Sequence, residues 1–124
     1  MFAWRVVLDE RLLGDLDSIT EMLAQRLELA PLGGRAAVEA ALKIGAFEAF
    51  VEALNNLRKG HTDPTRVLKY RGLPGRNYAI CVLTLGDWQA SFWVDKASKS
   101  CTGIFADEVT PWEPFRRLFQ RSLR

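Results

Sequence analysis

Six basic residues fall between Arg58 and Arg76 (Arg58, Lys59, Arg66, Lys69, Arg71 and Arg76), against a single acid, Asp63. A local concentration of cations of this kind can meet the phosphates of a polyanion. Tyr70, Tyr78 and Trp88 lie among these cations or just beyond them. Rings that stack on bases, beside cations that hold phosphates, are the chemistry of single-stranded RNA recognition. The same rings serve equally well as packing residues of a sheet, and the same charges as a solvated loop. The candidate target-binding set is therefore Arg66, Lys69, Tyr70, Arg71, Arg76, Tyr78 and Trp88. If RNA is bound, Lys69, Arg71 and Arg76 are expected to hold phosphates, with Tyr78 or Tyr70 stacking. A second cationic group, Arg116, Arg117 and Arg121, is the candidate for docking a partner.

The other reactive residue types form no catalytic pattern. His61, the one histidine, sits in a polar stretch beside Thr62-Asp63-Pro64, where a general base is conceivable but an incidental loop residue is the plainer reading. The serines and threonines are scattered, with none in a Gly-x-Ser-x-Gly elbow. Gly33-Gly34 lacks the spacing of a phosphate loop and reads as a turn. Asp107-Glu108 read as polar punctuation between a strand and a helix cap, with paired carboxylates or a weak hold on a divalent ion as the alternatives. Cys81 and Cys101 have no metal-ligand spacing and read as reduced, buried thiols, with a cross-strand disulfide as the alternative. Neither a metal nor an organic cofactor is expected.

These residues must be positioned by a chain of 124 residues, enough to bury a core and read as a single domain, 1–124. Composition is ordinary for a globular protein, at 48% hydrophobic and 26% charged. The net charge of +2 hides an asymmetry. Residues 1–60 hold seven basic against nine acidic side chains, and residues 61–124 hold ten against six. No apolar run approaches the roughly 20 residues that span a bilayer, and the first residues lack the pattern of a secretory leader. A cytoplasmic protein without membrane contact is expected.

Phe2 to Leu8 is aromatic and β-branched and reads as a strand. Asp9-Glu10 opens a helical stretch in which Leu12, Leu16, Ile19, Leu23 and Leu27 form one apolar stripe. A break is expected near Asp15 to Asp17. A second helical pattern runs from Arg35 to Lys59 through Val38, Leu42, Phe47, Phe50, Val51, Leu54 and Leu57, all expected in the core, with Gly45 as a weak point or boundary. After a loop-like stretch, in which 67–70 suggests a short strand, Tyr78–Leu85 and Trp88–Val94 read as a hairpin around Gly86-Asp87. Cys101–Ala106 makes a third strand. Thr110, Pro111 and Glu113 then give a capping box for a C-terminal helix. The expected fold class is α+β: an N-terminal strand, a helical hairpin, a three-strand antiparallel meander and a C-terminal helix.

This order of elements resembles the RelE/ParE superfamily of toxins from toxin–antitoxin modules. Asp9-Glu10-Arg11 is similar to the start of that family's helical hairpin. Leu68-Lys69-Tyr70-Arg71-Gly72-Leu73-Pro74 is similar to its basic entry into the next strand, and Tyr78-x-Ile80 with Gly86 to the strand pair of its concave face. The resemblance implies a toxin-type protein with a cognate antitoxin as partner. Its action would be that of a degenerate mRNA interferase on RNA or the ribosome, or inhibition of a host protein such as a topoisomerase. Asp107 and Glu108 stand where the ribosome-dependent endonucleases of the superfamily carry basic residues, so no catalytic residue is assigned. The competing expectation is a small non-enzymatic interaction module, phage- or mobile-element-borne, docking through Trp88 and Trp93 or through the C-terminal arginines.

Overall fold

The computed structural model describes residues 3–71 and 75–109. Its elements are β1 (Arg5–Leu8), α1 (Glu10–Leu29), α2 (Arg35–Arg58), α3 (Pro64–Val67), β2 (Lys69–Tyr70), β3 (Tyr78–Leu85), β4 (Trp88–Asp95) and β5 (Ser100–Glu108). The five strands form one sheet in the order β1-β5-β4-β3-β2. The meander β3-β4-β5 is antiparallel throughout, β1 lies parallel on the outer edge of β5, and β2 pairs antiparallel with β3.

One part of the expected fold class needs correction. The described chain closes on strand β5, not on a C-terminal helix. That strand continues past Ala106 because Gln89 and Trp88 still offer partners, to Asp107 and Glu108 respectively. The helix expected from Thr110, with Arg116, Arg117 and Arg121, lies outside the described residues. The meander is also the centre of a larger sheet, since β1 and β2 extend it on both sides.

The two long helices are unbroken. Asp9 caps α1 by accepting a hydrogen bond from the Arg11 backbone N–H (2.9 Å), and Glu10 places an acid in the first turn. No break occurs at Asp15, because its carboxylate does not compete for its own helix. Instead its Oδ2 accepts the Ala106 N–H at 3.0 Å, closing the edge of β5 beyond the point where β1 ends. Gly45 neither breaks nor bounds α2. Nothing approaches the place where its side chain would be, so its only cost there is the conformational freedom it loses.

Period-two alternation decides what the helices cover. Ala79, Cys81 and Leu83 of β3, with Trp88, Ala90, Phe92 and Val94 of β4, are buried against Leu12, Leu16, Ile19 and Leu23 of α1 and Phe47, Phe50, Leu54 and Leu57 of α2. Gly103 allows this approach. A methyl group there would meet Leu8, Phe92 and Leu12 side-chain carbons at 3.1–3.2 Å. Val38 and Leu42, expected in the core, instead face outward at 57% and 69% exposure.

The β3–β4 turn needs its glycine, since Gly86 has φ +60° and only two residues separate the paired Leu85 and Trp88. A bulge in β5 follows. Phe92 pairs with Gly103 but Ser91 pairs with Phe105, so Ile104 is the extra residue, and Phe105 emerges on the face away from the helices.

Candidate target-binding face

One face of the sheet carries the helices, and no described residue covers the other. On β2, Lys69 stands opposite Val82 and Arg71 donates its backbone N–H to Ile80 (2.8 Å), so both cations share the uncovered face. The Arg71 guanidinium reaches across β3 to lie 3.5 Å from Ser91 Oγ on β4. With Ile80, Ser91, Ile104 and Phe105 it lines a shallow depression of about 360 Å³. Beside this depression Tyr78 and Trp93 stack, with ring centroids 5.2 Å apart and an interplanar angle of 24°. Both are nearly half exposed, as are Val7, Ile80 and Phe105 on the same face.

The structure therefore sorts the predicted residues. It brings together Lys69, Arg71 and Tyr78. Arg66 is exposed on α3 and Arg76 in the segment before β3, and neither has a described contact with the sheet face. Tyr70 points to the opposite side, because it pairs with the buried Cys81. There it walls a second cavity of about 320 Å³ with Trp4, Leu68, Cys101 and Lys96, whose ammonium lies 5.3 Å from the Tyr70 ring. Trp88 is fully buried, edge-on to Phe47 with centroids 5.0 Å apart, so it is a core residue and no platform for a base. Sequence reasoning missed Ser91, Ile80 and Phe105 as parts of the face. Alternation along β3 and β4 points to the first two. The bulge that exposes Phe105 leaves no sequence mark.

The remaining reactive groups lie elsewhere. His61 follows the end of α2, where its backbone N–H bonds the Asn56 carbonyl (2.8 Å). Asp107 and Glu108 diverge: Asp107 is exposed opposite Gln89, while Glu108 forms an ion pair with Lys43 of α2. They make no carboxylate pair. Cys81 pairs with Phe92 and Cys101 with Val94, so β4 lies between the two thiols and both are free and buried. Burial raises the pKa of Cys81 against a smaller lowering by Lys96, and burial together with Cys81 pushes Cys101 up to about 11. Among the described residues no group of His, Cys, Asp and Glu is placed to hold a metal ion, and no helix is long and apolar enough to cross a membrane.

No protein-family model matches this chain, and no curated protein does. Among solved structures, a chain of the archaeal RelE-RelB complex from Pyrococcus horikoshii OT3 aligns with 89% of this chain and 99% of its own. The TM-score is 0.50 at 13% identity. The two chains share a fold. At that level the match is one of fold, and it agrees with the fold that the sequence resemblance implied.

Proposed function

We propose that this chain is a toxin-type protein of a toxin–antitoxin module that acts by occupying its target through the uncovered sheet face. The observation that carries the reading is that Arg71, reaching to Ser91, and the stacked Tyr78–Trp93 pair lie on that same face. A guanidinium on the same face as exposed, stacked aromatic rings can hold a phosphate while a base stacks, so RNA, free or on the ribosome, fits this face. Binding rather than cleavage is the proposed mode. The acids on this face, Asp95 and Asp107, repel a phosphate backbone, and no histidine lies among its described residues.

A host protein as target is the second reading. Ile80, Ile104 and Phe105, which line one depression, favour it, since contiguous apolar surface marks protein docking. In either case a cognate antitoxin would have to cover this face, and the structure this chain resembles is itself a RelE-RelB complex.

Expression of the chain without a partner is expected to arrest bacterial growth, and Arg71→Ala with Lys69→Ala to relieve the arrest at equal protein level. Harmless accumulation of the unmodified chain contradicts the reading. An interaction lost steeply with added salt assigns the target as RNA, whereas a salt-resistant, Trp93-dependent one assigns it as protein.

A further inference from the structure

Helix α2 is apolar on two sides. Its inner side, with Phe47, Phe50 and Leu54, covers the sheet. Its outer side carries Val38, Leu42, Gly45 and Ala49, at spacings of four, three and four residues, which place them in one row. All four are exposed, Val38 by 57% and Leu42 by 69%, and no described residue packs on them. A helix that is apolar on both sides is expected to be covered on both.

We propose that the outer face of α2 packs antiparallel against the same face of a second copy, about a twofold axis passing between positions 43 and 44. An isologous contact must be self-complementary, and this register is. Leu42 falls opposite Gly45 of the second copy, where the missing side chain leaves a notch open to the outside. Val38 falls opposite Ala49, again large against small. Arg35 falls opposite Glu52, an attractive pair made twice. Glu39 falls opposite Glu48, a repulsion blunted by the bond Glu39 already accepts from Arg35 Nε of its own chain (3.1 Å). A single helix pair about 36 Å long makes a small interface, so the dimer is weak and concentration-dependent. Both uncovered sheet faces stay free, because α2 lies on the other side of the sheet.

Sedimentation equilibrium on the full chain tests this. The unmodified chain is expected to dimerise reversibly. Leu42→Glu and Gly45→Leu should each weaken association by about tenfold or more. Gly45→Leu also raises helix propensity, so undiminished thermal stability separates a filled notch from a failure to fold. Arg35→Glu should weaken the dimer, and Glu52→Arg in the same chain should restore it. A chain that stays monomeric at high concentration overturns the proposal, as does a dimer indifferent to Leu42→Glu. So does a monomer that loses capture of a different protein on Leu42→Glu, since the face then belongs to that partner.

Discussion

Tyr78 and Trp93 stack across neighbouring strands, 5.2 Å between centroids, on the side of the sheet that the helices leave bare. Stacking between two partly exposed rings is worth about 0.5–1.5 kcal/mol. Trp93→Ala should therefore lower stability in urea by about that amount together with the burial its half-covered ring loses, less than for a fully buried tryptophan. Its effect on target binding should be far larger, a loss of about tenfold or more, since exposed aromatic anchors carry most of a binding energy. Parallel unfolding and binding titrations check the contrast.

Trp88 should behave in the opposite way. It is completely buried against Phe47, and its Nε1–H has no partner among the described residues. Trp88→Ala is expected to cost about 3–5 kcal/mol of stability, measured by denaturant unfolding. Trp88→Phe should cost much less, because the buried N–H goes with the ring. Target binding by the Phe variant should be unchanged.

Those two tryptophans also show what the sequence could and could not convey. Period-two alternation along 88–95 puts them on opposite faces, as the structure has them. Which face the helices would cover was not written in β4 alone, because Trp88 and Trp93 are equally large and apolar. The decision comes from Ala79, Cys81 and Leu83 on β3, which join Trp88's side, and from Gly103, which lets Leu12 close on it. Helix α2 misled for a related reason. Apolar residues on both of its sides blur the periodicity, so Val38 and Leu42 read as core but lie outside. At the candidate site, Lys69 and Arg71 were legible as a basic entry to the sheet. The outward turn of Phe105 was not, because it depends on one unpaired residue in β5.

Asp15 ties α1 to the unpaired edge of β5 through Ala106 N–H. Asp15→Ala leaves that part-buried donor without its acceptor and should cost about 1–3 kcal/mol. Amide hydrogen exchange at Ala106 should quicken by more than the global loss of stability accounts for.

Burial of Cys101 makes alkaline pH destabilising. Its thiol is held to about 11 in the folded chain, above an ordinary 9.0. Between these values the folded state binds more protons than the unfolded one, so stability falls as pH rises. Its contribution is fully present below pH 9.0 and lost by about 11. Cys101→Ala should shift the level of stability but flatten this alkaline decline, as thermal unfolding across pH 8 to 11 would show. Neither thiol should react with a mild alkylating agent at neutral pH while the chain is folded.

The central claim is that the target meets the sheet face bearing Arg71 and Trp93. A photoactivatable amino acid at position 93 tests it directly in growing cells, with one at exposed position 13 of α1 as reference. The account predicts a discrete covalent adduct from 93, abolished by Arg71→Ala, and none of the same size from 13. An adduct of equal size from both positions, or one from 93 that ignores Arg71→Ala, would contradict it.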